Sequence, residues 1–180
     1  MDIQSIYQKT IIFAAHKHSE NNQLIPDSQL PYVVHLSNVA MEILITASNT
    51  KEFDLNFATQ IALLHDTLED TTTTFHELEL EFGIEIAEGV SALTKNDNLP
   101  KEEKMLDSLN RISSQRKEVW AVKLADRITN LQKPPKTWDS LKKRKYKNEA
   151  EVILEKLKGA NQYLENRLQV KIQEYESYIH

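Results

Sequence analysis

Apolar residues recur at helical spacing along nearly the whole chain, and the residues that break helices are scarce, with three Gly and five Pro among 180 residues. No strand signal of any length is present. A chain patterned in this way is expected to fold as an all-α bundle with short connections. Its length and its 40% hydrophobic content allow one substantial buried core, so a single domain over residues 1–180 is expected.

The periodicity places helices at about 2–20, 32–49, 55–70, 74–82, 84–94, 101–115 and 117–132 and along a C-terminal stretch from 138 to about 178, roughly eight in all. Pro31 stands where a helix begins, and Thr74 before Phe75-His-Glu-Leu has the form of a capping start. Pro134-Pro135 must stop the helix that carries Asp126. In the C-terminal stretch Trp138, Leu141, Tyr146, Ile153, Leu157, Tyr163, Leu164, Leu168 and Ile172 keep a helical period amid charges, as on amphipathic helices packed on one side, and Gly159 is placed to bend or divide them. The polar, turn-forming segment Ser19–Leu30 is long for a helix connection. It is either a plain solvated loop or an active-site loop.

Charge and cysteine content narrow the function. Lys and Arg total 22 against 27 Asp and Glu, a net charge of -5, so no overall positive field recruits nucleic acid or an anionic membrane. A small diffusible substrate fits better. The short basic run Lys142–Lys145 is too isolated to argue otherwise. With no Cys, any metal must be held by imidazole and carboxylate, a chemistry that suits the cytoplasm. The N-terminus has no apolar segment behind a basic one, and nowhere do about 18 apolar residues run together, so neither export nor membrane spanning is expected.

The residues that carry chemistry stand in apolar surroundings. His65 and Asp66 follow Ile61-Ala-Leu-Leu64, His35 lies within Pro31-Tyr-Val-Val-His-Leu36, and Asp126 lies within Val122-Lys-Leu-Ala-Asp-Arg-Ile128. A lone His on an apolar face is usually a hydrogen-bonded core residue, and a lone Asp beside Arg127 is usually half of an ion pair. Four such groups on three helices are a different matter. A buried carboxylate costs several kcal/mol unless paired or ligated, and one shared cation would satisfy Asp66 and Asp126 together. Glu69 and Asp70 come four residues after His65 and Asp66, which on a helix puts both carboxylates one turn along on the same side. Neighbouring carboxylates push their pKa values apart, so one can act as base while the other holds a proton.

The set His35, His65-Asp66 and Asp126 resembles the ligand pattern of the HD-domain superfamily. His65-Asp-Thr-Leu-Glu-Asp70, Pro31-Tyr-Val-Val-His35, Leu93-Thr-Lys95 and the Lys123-Leu-Ala-Asp-Arg-x-x-Asn130 context are together similar to the hydrolase domain of RelA/SpoT proteins and, by length, to the small alarmone hydrolases. The likeness covers about residues 5–175. It implies an HD helical bundle whose metal core spans about 30–132, and removal of 3′-pyrophosphate from guanosine tetra- or pentaphosphate or a related purine nucleotide such as the adenosine counterpart.

Carried over position by position, the resemblance makes His35, His65, Asp66 and Asp126 ligands of Mn²⁺ or another divalent ion, and makes Glu69 and Asp70 the catalytic pair. Mn²⁺ would acidify water and neutralise phosphate charge. Glu69 would orient or deprotonate the attacking water, and Asp70 would assist proton transfer to the leaving oxygen. Asn130, Tyr146 and Lys142 fall where the family meets its substrate, and Lys95, Lys101, Lys123 and Arg127 are further partners for phosphate. In one place the chain departs from the pattern: the family usually carries basic residues in the loop before Pro-Tyr-x-x-His, and here Gln23-Leu-Ile-Pro26 occupies it. Nothing resembling a synthetase accompanies the hydrolase pattern, so hydrolysis alone is expected. An HD-type nucleotidase, an NADPH 2′-phosphatase and a non-catalytic nucleotide-binding module share parts of the same residue set, and a homo-oligomer is compatible with it.

Overall fold

Side-chain caps written into the sequence start most of the long helices. A computed structural model describes residues 2–179. In α1 (Ile3–Glu20), α3 (Leu55–Leu64), α5 (Phe75–Phe82), α9 (Ser140–Lys156) and α10 (Gln162–Tyr175), the first turn is closed by the side chains of Asp2, Asp54, Thr74, Asp139 and Asn161. The remaining segments are α2 (Val33–Ser48), the single turn α4 (Thr67–Asp70), α6 (Ile84–Leu93), α7 (Lys101–Ser113), α8 (Lys117–Asn130) and a closing 3-10 turn, Glu176–Tyr178. Among the described residues the one trace of β pairing is an isolated bridge from Leu24 to Pro31. No helix there is long and apolar enough to cross a membrane.

Burial follows from how apolar each helix is. α3 is apolar on nearly every face, with Phe57, Ala58, Ile61, Ala62, Leu63 and Leu64 all buried, so it becomes the central post, touched by α1, α2, α6 and α8. α8 buries Val119, Ala121, Val122, Leu124, Ala125 and Ile128, and packs between α2, α3 and the hairpin of α9 and α10. Residues from both parts join one hydrophobic cluster. The segments that carry His35, His65 and Asp126 are therefore neighbours because their apolar faces share this core.

One helix expected to be continuous is divided, and the C-terminal stretch is divided at the glycine the sequence marks. The expected helix over 55–70 breaks at His65-Asp66, where Asp66 takes φ -104° and ψ 0°. The cause is competition for carbonyls: His65 Nδ1 donates to the Ala62 oxygen at 2.8 Å and the Thr67 hydroxyl to the Leu64 oxygen at 2.7 Å. The C-terminal stretch is cut at Gly159, whose φ of +83° suits glycine, and Asn161 then caps α10. The capping start at Thr74 is present, its hydroxyl accepting from the Glu77 N–H. Leu141 departs from the expected apolar face: it is 77% exposed, and the first turns of α9 are held instead by Trp138 edge-on to Tyr146.

α6 approaches α3 closely because position 89 has no side chain. A Cβ on Gly89 would stand 2.6 Å from Ile61 Cδ1 and 3.2 Å from Val119 Cγ2. Gly89→Val is expected to lower stability by about 1–3 kcal/mol through overpacking, read as a lower urea midpoint at unchanged slope. An unmoved midpoint would mean that α6 can yield without cost.

Candidate metal centre and active site

The turn between α3 and α4 aims His65 at its neighbours. A carbonyl only accepts, so the Ala62 oxygen fixes the hydrogen of His65 on Nδ1, and in the neutral ring Nε2 presents a lone pair. That Nε2 lies 3.4 Å from His35 Nε2, 3.0 Å from Asp66 Oδ2 and 3.7 Å from Asp126 Oδ1. His35 Nε2 is 3.8 Å from Asp66 Oδ2 and 3.5 Å from Asp126 Oδ1. His35, His65 and Asp126 are buried, and their donor atoms all lie within 4.8 Å of one another. Lone pairs from two imidazoles and two carboxylates converge on one point, an arrangement reconciled only by a proton or a cation between them. Two nitrogens with carboxylate oxygens are a donor set that suits a divalent transition ion.

The titration behaviour expresses the same conflict. Burial opposes a charge on His65, yet Asp66 and Asp126 raise its pKa well above the usual 6.5. Burial likewise opposes ionisation of Asp126, and Lys123, His35 and His65 together hold it well below 3.8. Asp66 is also held low, by His65 and by the Tyr32 hydroxyl, which donates to its Oδ2. Further bonds orient the Asp126 carboxylate: Lys123 Nζ donates to Oδ2 at 3.1 Å and Asn130 Nδ2 to Oδ1 at 2.5 Å.

Glu69 and Asp70 stand in the single turn of α4 and have different surroundings. Glu69 accepts from the Lys95 backbone N–H at 3.1 Å and pairs with the Lys95 ammonium at 2.5 Å. Asp70 accepts from the Gln23 amide at 2.7 Å, and burial first, then the charges of Asp66 and Glu69, raise its pKa. Two adjacent carboxylates are thus set apart, one paired with a cation and the other with its pKa raised above the ordinary value.

A cavity of about 480 Å³ adjoins them. Lys95, Lys101, Lys104, Lys123, Arg127 and Lys145 line it with a single carboxylate, Glu149. Lys95 and Lys123 also bond Glu69 and Asp126, so the cavity meets the carboxylate cluster through two shared cations.

The sequence profile described as HD domain matches residues 10–162. The chain belongs to the HD-domain family. A zebrafish (Danio rerio) member named guanosine-3′,5′-bis(diphosphate) 3′-pyrophosphohydrolase MESH1 is 33% identical over 169 residues, 92% of this chain and 91% of its own length. The human protein of the same name is 34% identical over 160 residues, 87% of each. A solved structure described as a metazoan ortholog of SpoT that hydrolyzes ppGpp superposes with a TM-score of 0.79 at 27% identity, covering 94% of both chains.

Within this HD-domain fold the expected substrate residues have distinct placements. Arg127 is 8% exposed, lies 4.3 Å over the Tyr146 ring and lines the cavity. Tyr146 is pushed up to about 12, chiefly by burial. Asn130 is engaged with Asp126. Lys142 lies over the Trp138 ring at 4.3 Å, and Lys145, one turn further along α9, is the residue at the cavity. Sequence reasoning passed over Lys145 and Lys104, as well as Tyr32, although Tyr32 sits inside the quoted Pro-Tyr-x-x-His motif. Its spacing of three from His35 was the available signal.

In metal-free protein the cluster contributes its full stability only between about 3.8 and 6.5, the unperturbed values of its carboxylates and imidazole. The contribution falls at lower pH as Asp126 is protonated and at higher pH as His65 loses its proton. A divalent ion held by His65 would displace its proton, so affinity for such an ion is expected to rise with pH up to the raised pKa of His65, with about one proton released per ion near neutrality. Calorimetry in buffers of different ionisation enthalpy measures that proton; binding without proton release would contradict this electrostatic picture.

Proposed function

We propose that this chain is a Mn²⁺-dependent nucleotide pyrophosphohydrolase that removes the 3′-pyrophosphate of guanosine tetra- or pentaphosphate or of a closely related purine nucleotide. The observation that carries the reading is the cationic cavity set against the carboxylate cluster. A chain of net charge -5 gathers six cations around one cavity, and two of them reach the carboxylates beside it. Polyphosphate is the ligand chemistry that such a site serves. The MESH1 relatives, matched over most of their length, carry the corresponding activity in their names.

In this reading His35, His65, Asp66 and Asp126 hold the ion, which supplies positive charge to the phosphate oxygens and makes water more acidic when bound. Tyr32 and Asn130 keep Asp66 and Asp126 in position through their hydrogen bonds. Glu69, fixed by the Lys95 backbone, orients and deprotonates the attacking water. Asp70, with its raised pKa, gives a proton to the 3′ oxygen as the bond from that oxygen to phosphorus breaks, so pyrophosphate and a nucleotide with a free 3′-hydroxyl leave. Arg127, Lys101, Lys104 and Lys145 draw the phosphates into the cavity.

³¹P NMR of the Mn²⁺-loaded protein with guanosine tetraphosphate and its adenosine counterpart is expected to show pyrophosphate, absent with Asp126→Ala. Free phosphate in its place would favour a nucleotidase, and tight nucleotide binding without product would favour a binding module. Glu69→Gln and Asp70→Asn are each expected to lower kcat by about 10²- to 10⁴-fold, and wild-type turnover in either would remove that residue from the chemistry. Lys145→Ala is expected to raise KM roughly tenfold, about the worth of one charge-assisted contact, with kcat little changed.

A further inference from the structure

Gln23 lies in the segment where the chain departs from its family's basic loop, and it is tied down more firmly than a solvated loop requires. Its backbone N–H donates to the His18 oxygen at 3.0 Å and its carbonyl accepts from the Tyr32 N–H at 3.2 Å. Asn22, at φ +51°, makes the sharp exit from α1 that brings Gln23 back over the helix end. The side chain then spans two groups: Nε2 donates to Asp70 Oδ2 at 2.7 Å, and Oε1 is hydrogen-bonded to His18 Nδ1.

The chemistry of the three groups fixes every hydrogen. Asp70 Oδ2 is an acceptor both in the ionised carboxylate and in the acid with its proton on Oδ1, so Gln23 turns its NH₂ toward it, which leaves the amide oxygen for His18. That oxygen only accepts, so His18 must carry its hydrogen on Nδ1. Burial keeps His18 below its usual pKa, against the pull of Gln23 and the nearby carboxylates, and so favours the neutral ring with a single hydrogen. The imidazole is 1% exposed and is stacked on Tyr32 at 4.8 Å, and Tyr32 in turn donates to Asp66. The ring therefore has little freedom to turn, and a flipped Gln23 amide would set its oxygen against Asp70 and keep His18 only if the imidazole hydrogen moved to Nε2.

We propose that Gln23 is a positioning residue for Asp70, locked in its working orientation by the buried imidazole of His18. Resting on the role given to Asp70 above, the relay holds Oδ2 against the amide and leaves Oδ1 as the oxygen that presents a proton to the leaving group. A neutral amide orients the carboxylate without pairing its charge, as Arg or Lys at this position would. The loop after α1 thus serves the proton donor.

The test compares Gln23→Met, His18→Phe and His18→Asn, in Mn²⁺-loaded protein turning over guanosine tetraphosphate, with circular dichroism to confirm folding. Gln23→Met is expected to lower kcat roughly 10- to 100-fold, the scale of a misplaced catalytic group, with KM changed less than about twofold. His18→Phe keeps the ring but not the donor and should lose a comparable factor. His18→Asn, whose amide can stand in for Nδ1–H, should keep most of the activity, and the Gln23→Met/His18→Phe double variant should be no worse than Gln23→Met alone. Independently of turnover, ¹⁵N NMR should find His18 protonated on Nδ1 in the wild type and redistributed between tautomers in Gln23→Met. Wild-type kcat in Gln23→Met, a change confined to KM, equal losses in His18→Asn and His18→Phe, or a His18 tautomer indifferent to Gln23 would each overturn the proposal. If His18→Phe does not fold, Gln23→Met and the tautomer measurement still decide it. A wild-type protein that releases no pyrophosphate would instead overturn the functional reading and, with it, the role of Asp70.

Discussion

Two carboxylates, Asp66 and Asp126, face two imidazoles in a setting with little water, and the surrounding structure answers that electrostatic demand. An uncompensated buried carboxylate costs several kcal/mol, a large part of the net stability of a domain this size. The chain meets the cost with polar neighbours drawn from three directions: Tyr32 at the start of α2, Lys123 and Asn130 on either side of Asp126 along α8, and His65 itself. Two of the helices that deliver these groups, α2 and α3, are among the most apolar in the chain, and α8 turns a buried apolar face to both of them. Packing and charge thus serve one end, since the same α3 that seals the core carries His65 to its terminus.

The clustering of these groups was legible in the sequence because each sits in or beside an apolar run, and a charged group in such a run has to be met by something. His35, His65 and Asp126 are brought together as that logic requires. The break at His65-Asp66 was not legible. Helical periodicity runs smoothly through it, and the cause is local, two side chains taking backbone carbonyls that the next turn would have used. Lys145 was missed for the opposite reason. Charged residues crowd the start of α9, and which of them reaches a cavity depends on the rotation of that helix against α8, fixed by Trp138, Tyr146 and Arg127. The contacts of Gln23 with Asp70 and His18 needed the path of a loop, which periodicity does not describe.

The division of the acidic pair shows how little sequence distance is needed to give two carboxylates different surroundings. Glu69 and Asp70 are adjacent, yet one faces α6 and the Lys95 that follows it, while the other faces the loop after α1. A short helical turn achieves this because consecutive residues point about 100° apart. A longer helix would have presented the same two side chains, but the break before α4 sets the turn at its own angle, so each carboxylate meets a different wall of the site.

The cations of the cavity are not free counter-charges waiting for a ligand. Lys95 and Lys123 are already engaged with Glu69 and Asp126, so a polyphosphate entering the cavity competes with those carboxylates for them. For Glu69 the competition need not disturb the geometry, because the Lys95 backbone N–H holds the same carboxylate and cannot be drawn away. The ammonium is then free to swing toward phosphate while Glu69 keeps its place. Asp126 retains Asn130 when Lys123 is shared. Each shared lysine is thus backed by a second, uncharged donor, so that occupancy by an anion changes the charge around the site more than its shape.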